Sequence, residues 1–171
     1  MLDIIHTDTI TEHGNTYRVD HIRDYDMDAP WENSDCHGVI TDWVTRDKKP
    51  SELLLSTSRT FKRFYDVKAS IEKATREGWG LSDPERLTPK QIIAESVRQD
   101  YERLKAWCND EWFYIGVVIT EIRTDSDGFT YDGYHASLWG LESDCLDTGW
   151  VYRDLIGDIE YQLNNPVPKV A

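Results

Sequence analysis

The chain has 171 residues, a formal net charge of −13 and 12% aromatic residues, including seven Trp and nine Tyr. That aromatic share excludes a disordered acidic tail, and the length fits a single domain over residues 1–171 with a sizeable core. No apolar run approaches the ~20 residues needed to span a bilayer, and the Met1–His6 start lacks the basic and apolar regions of a secretory signal.

Residues 3–10 and 16–23 read as strands joined at Glu12-His13-Gly14-Asn15, with Gly-Asn as the turn pair because both residues tolerate positive φ. A polar stretch from Asp24 to His37 follows. Gly38 to Arg46 then alternates as a strand and is closed by Asp47-Lys48-Lys49-Pro50. Leu53-Leu54-Leu55 is a short apolar run of ambiguous type.

Asp66 caps a helix to about Glu77, with Val67, Ile71 and Ala74 inward and Gly78 at C′. Thr88 at N-cap, Pro89 at N1 and Gln91 at N3 write a capping box for the next helix, which buries Ile93, Val97, Leu104 and Trp107. Trp112 to Ile122 is apolar on both faces and fits a central strand; Asp125-Ser126-Asp127-Gly128 turns, and Tyr134 to Leu141 returns. Asp147 or Thr148 opens a last helix with Val151, Leu155, Ile159 and Leu163 inward, stopped at Asn164-Asn165-Pro166. This order predicts an α+β fold: an antiparallel sheet of about five to six strands packed with three helices.

The charge is uneven. Residues 1–50 carry 5 Lys/Arg against 11 Asp/Glu, residues 51–110 carry 11 against 10, and residues 111–171 carry 3 against 11. Such a chain is repelled by nucleic acid and by anionic membranes, so neither is an expected direct partner. The one basic run, Arg59, Lys62, Arg63, Lys68, Lys73 and Arg76, reads as a solvated helix face carrying ion pairs.

Cys36, Cys108 and Cys145 are odd in number, widely spaced and outside any C-x-x-C, which argues for reduced thiols in a reducing cytosol. Cys36 and Cys145 lie among carboxylates, which disfavour thiolate. The five histidines form no H-x-x-x-H. There is no P-loop, no G-x-S-x-G and no dinucleotide fingerprint, so no cofactor is expected and the balance leans away from an enzyme. Two stretches could still carry chemistry. Asp26, Asp28, Glu32, Asp35 and His37 stand within twelve residues, an oxygen-rich set suited to Ca²⁺ or Mg²⁺, although the spacing is not that of an EF-hand. Glu142 and Asp144 could join Asp26 or Asp28 as an acid/base pair.

The stretch Tyr25-Asp26-Met27-Asp28-Ala29-Pro30-Trp31-Glu32-Asn33-Ser34-Asp35-Cys36-His37-Gly38 is one of four that carry a likeness. Taken with Gly78-Trp79-Gly80, the Trp112-Phe113-Tyr114-Ile115-Gly116-Val117 strand and Ser137-Leu138-Trp139-Gly140-Leu141-Glu142-Ser143-Asp144, it resembles a family of small uncharacterised proteins encoded by bacteriophages. The resemblance implies a bacterial host cytoplasm during infection and transfers no catalytic residue. Small acidic phage proteins often block host nucleic-acid-binding systems, of the restriction or CRISPR kind, and arrayed carboxylates can imitate duplex phosphates at one charge per about 1.7 Å. The expected partner is a basic host protein or nucleoprotein complex. The expected surface is Asp24, Asp26, Asp28, Glu32, Asp35, Glu142, Asp144, Asp147, Asp154 and Asp158. The alternatives are a metal-dependent enzyme using the Asp26–His37 loop, and a virion or assembly component.

Overall fold

His13 and Gly14, at φ 51° and 86°, form the two-residue loop of the first hairpin. Two successive positive φ values match the right-handed twist of the flanking strands, β1 (Ile4–Glu12) and β2 (Asn15–Arg23). The turn pair is therefore His13-Gly14, one residue earlier than the Gly-Asn expectation, and Asn15 already belongs to the ladder opposite Glu12. The computed structural model describes residues 2–33, 36–82, 84 and 86–165.

Along the chain there follow α1 (Pro30–Asn33), β3 (Val39–Trp43), β4 (Glu52–Thr57), β5 (Lys62–Asp66), α2 (Val67–Glu77), α3 (Pro89–Cys108), β6 (Tyr114–Thr124), β7 (Thr130–Glu142) and α4 (Thr148–Asn164). All strand pairings are antiparallel, in two sheets ordered β1-β2-β6-β7 and β3-β5-β4. The α+β class holds. The single sheet of five to six strands with three helices is corrected to two sheets of four and three strands with four helices, among the described residues.

The missed strands are β4 and β5. Leu53-Leu54-Leu55 shows no readable alternation because a register shift falls between Leu54 and Ser56; only Leu55 is buried. The basic run hides β5. Lys62 and Arg63 are strand residues, and Arg63 pairs across the ladder with Asp42 through two hydrogen bonds of 2.7 Å. Only Lys68, Lys73 and Arg76 of that run lie on a helix.

The chain forms two compact units, residues 1–27 with 113–171 and residues 28–112. In the first, α4 lies against the four-stranded sheet. Tyr17, Val19, Val117 and Ile119 from β2 and β6 meet Val151, Leu155, Ile156 and Ile159 from α4, and all eight are buried. Burying each such side chain contributes roughly 1.5–3 kcal/mol. Leu163, partly buried, completes the expected inward stripe.

In the second unit, Leu55, Tyr65, Ala74, Val97 and Leu104 form the core. Asp66 caps α2 by accepting from the Ala69 N–H at 3.1 Å, and Gly78 ends it at φ 69°. The inward face of α2 holds Ser70 and Ala74, while Ile71 is exposed. The Thr88–Gln91 capping box is present. Trp31 on α1 meets Trp107 edge to face at 5.2 Å, and the Arg63 guanidinium lies 4.6 Å from the Trp31 ring centre. No helix among the described residues is long and apolar enough to cross a membrane.

Candidate binding surface

The two units divide the charge unequally. The first has 5 Lys/Arg against 16 Asp/Glu, for −11; the second has 14 against 16, for −2. The acidic ends of the sequence, residues 1–27 and 113–171, thus fold as one body. Residues 28–50, acidic in sequence, fold with the balanced middle.

Among the described residues of the first unit, Arg18 and Arg123 hold three carboxylates. Arg18 takes two: its Nε donates to Asp20 Oδ2 at 2.9 Å, and its terminal nitrogens donate to Asp132 at 2.9 and 3.0 Å. The guanidinium holds the Asp132 carboxyl below its ordinary range. Thr7 Oγ1 donates to the other Asp20 oxygen at 2.7 Å, so that buried carboxylate is satisfied. Arg123 Nε donates to buried Glu121 at 2.8 Å. None of these three carboxylates belongs to the expected surface.

The expected residues fall into three groups. Asp24, Asp26, Glu142, Asp144, Asp147, Asp154 and Asp158 belong to the first unit; Asp28 and Glu32 are exposed on the second; Asp35 lies outside the described residues. Asp24 is a structural clamp. Its oxygens accept the N–H groups of Asp26 at 3.1 Å and Gly140 at 3.2 Å, and its own N–H donates to Tyr114. Asp147 is the N-cap of α4, accepting from the Gly149 N–H at 3.0 Å. Glu142, Asp144 and Cys145 bring one donor atom each within 4.8 Å of one another. Asp154 and Asp158 stand exposed on α4, and no cation pairs with either among the described residues.

The Ser137–Asp144 stretch locks β7 in place. Gly140 sits at φ 74°, and a side chain there would press on the Met27 sulfur at 3.3 Å. Trp139 lies over Gly116 of β6, where a Cβ would fall 2.2 Å from the ring. Ser143 exchanges hydrogen bonds with Phe113, its N–H donating to the Phe113 carbonyl at 2.9 Å and its Oγ accepting from the Phe113 N–H at 3.1 Å.

The Asp26–His37 loop divides between the units after Met27, and its last residue is engaged by one that the sequence did not single out. His37 Nδ1 meets Asp100 Oδ1 at 2.6 Å, while Asp100 Oδ2 accepts from the Gly38 N–H at 2.8 Å and the Tyr65 hydroxyl at 2.7 Å. The Asp100 side chain is only 9% exposed. Burial, with Asp100 alongside, pushes the Tyr65 phenol well above its ordinary value. A cavity of about 340 Å³ adjoins this network, lined by Cys36, Trp79, Gly80, Ser96, Gln99 and Asp100. Asp100 sits mid-helix in the balanced third, and no local motif points to it.

The sequence reading also passed over the aromatics of α4. Trp150 is 48% exposed and Tyr161 70% exposed, on the side of the helix away from the core. Their spacing with Asp154 and Asp158, at i, i+4, i+8 and i+11, was the available signal. No family model, no curated protein and no solved structure matches this chain.

Proposed function

We propose that this chain is an acidic binding protein whose first unit captures a basic partner. The observation that carries the reading is the gathering of −11 into one folded unit while the other stays at −2. A net charge serving solubility alone needs no such division. A concentrated negative field steers a basic partner and speeds its capture. With the resemblance to small phage proteins, the partner is a host protein or nucleoprotein complex that works on nucleic acid, and the chain acts on it by occupying its phosphate-binding surface. The test is affinity capture from a bacterial lysate at low and high salt, with the recovered protein then titrated by the purified chain. A basic nucleic-acid-binding protein, displaced from DNA by the chain and released by salt, is the expected result. Binding that ignores salt, or capture of no basic protein, overturns it.

One observation favours a second reading. His37, 20% exposed, is oriented by a nearly buried Asp100 beside a cavity, which is how a general base is held. In this reading the Asp26–His37 loop serves a metal-dependent or acid–base enzyme. Calorimetry with Mg²⁺, Mn²⁺, Ca²⁺ and Zn²⁺ tests its metal-dependent form, and no heat with any of them counts against it.

A further inference from the structure

Two histidines stand directly opposite each other in the first hairpin, His6 on β1 and His21 on β2. Their ring centres are 5.5 Å apart, with the planes tilted by 60°. Two imidazoles that share one tetrahedral ion, each bound at about 2.0–2.1 Å, hold their centres roughly 5 Å apart. The pair therefore already has the span that a shared ion needs. His6 is exposed and His21 half-buried, so an ion can enter from solvent on one side and is backed by protein on the other.

A second observation lies at the far end of His21. This residue continues the Tyr17 and Val19 face of β2, which packs on α4, and its Nε2 meets the Tyr152 hydroxyl at 2.8 Å. Tyr152 is itself packed against the core, so that oxygen is a fixed point. A histidine that ligates a metal is ordinarily held this way: one ring N–H donates to an oxygen, which leaves the other nitrogen its lone pair. Asp8 follows His6 on the same side of β1. Burial, then the Asp8 charge, raises the Tyr152 phenol pKa, which sets that carboxylate in the same corner, where it draws cations.

We propose that His6 and His21 bind a zinc ion, His21 through Nδ1 while Tyr152 accepts from its Nε2–H. Imidazole suits zinc and its transition-metal neighbours, whereas Mg²⁺ and Ca²⁺ require sets of oxygens. Two protein rings leave the remaining positions to water, so the ion exchanges and is not a closed structural centre. It fastens the edge strand β1 to β2 and, through Tyr152, to α4. The inference stands apart from the acidic-binding reading, and from the metal-dependent reading of the Asp26–His37 loop, whose residues are different ones.

The test titrates the whole, metal-free chain with Zn²⁺ and with Mg²⁺ by calorimetry at neutral pH, and follows the histidine ring signals by NMR. Zinc is expected to release heat, to raise the melting temperature, and to shift the rings of His6 and His21 ahead of those of His13, His37 and His135. His6→Gln, a change at an exposed edge position, abolishes these effects and leaves the metal-free melt unchanged. Tyr152→Phe keeps the ring but removes the oxygen, and weakens zinc binding by about tenfold, the loss typical of a group that orients a ligand. No zinc heat, full binding by His6→Gln, full affinity in Tyr152→Phe, or first shifts at His37 would each overturn the proposal. Capture of a basic partner is read without zinc, so these failures leave the acidic-binding reading standing.

Discussion

Gly116 shows how one residue type can be dictated by a neighbour far along the chain. The Trp139 ring occupies the space a β-carbon would need, at 2.2 Å. Gly116→Ala should therefore destabilise the first unit by about 1–3 kcal/mol, the range for overpacking. Urea melts will measure it, and in the Gly116→Ala, Trp139→Ala pair the cost of the alanine should largely vanish. An undiminished cost would mean that the glycine serves its own backbone instead. Asp100 is the counterpart in the second unit. Asp100→Ala leaves the partly buried Gly38 N–H without its acceptor and the Tyr65 hydroxyl with the Val97 carbonyl at 3.3 Å, at roughly 1–3 kcal/mol in all, and thermal melts should register the loss. Neither dependence was legible in the sequence. Trp139 and Gly116 meet only through the β6–β7 ladder, and Asp100 reaches His37 over 63 positions. Residue types are readable where the constraint is local, as in the Thr88 capping box, and opaque where a partner arrives from a distant element.

At the scale of elements the same division holds. The three long helices were legible because caps and inward stripes are written within a few residues: Asp66, Thr88 and Asp147 all cap as their positions suggest, whereas the four-residue α1 was not. Strands β4 and β5 were not, because a bulge in one and ion-paired cations in the other, Arg63 with Asp42 across the ladder and Lys62 with Asp47, disguise the period of two. The packing of α4 on the first hairpin has a further consequence, in its response to pH. His21 on β2 meets the Tyr152 hydroxyl of α4 at 2.8 Å, with the His6 ring of β1 5.5 Å away and Asp20 adjacent. Burial, then His6, lowers the His21 pKa below 6.5. The unfolded chain therefore binds a proton below pH 6.5 that the folded chain resists, so stability falls as pH drops from 6.5 toward the folded value. His13 acts in the opposite sense. Its hydrogen bond to Glu160 at 2.7 Å raises its pKa, and that contribution, complete below 6.5, is lost as pH rises through the folded value. Melting temperatures of the parent and His21→Asn from pH 5 to 8 separate the two. The variant should lose part of the acid-side decline and keep the alkaline-side one; an unchanged acid limb would place the titration elsewhere.

For the whole molecule, the division of charge into −11 and −2 carries an energetic consequence that is independent of any partner. Like charges gathered in one folded body repel, and the repulsion is relieved on unfolding or by salt. The Debye length falls from about 30 Å at 0.01 M ionic strength to about 3 Å at 1 M, so salt should silence most of it. The thirds of the sequence already hinted at this imbalance, but they placed residues 28–50 with the wrong body, since the boundary lies in how the strands pair. Amide hydrogen exchange, resolved by residue, reads both units in one sample. Raising NaCl from about 0.01 M toward 0.5 M should slow exchange along β6, in the core of the −11 unit, and leave the middle of α3 nearly unchanged. Sodium sulfate would strengthen burial in both units, so a chloride salt keeps the comparison electrostatic. Equal slowing of the two would mean that the carboxylates of the first unit are spread too thinly to repel. A surface that thin would also be a poor lure for a basic partner. The exchange experiment therefore bears on the proposed function before any partner is in hand.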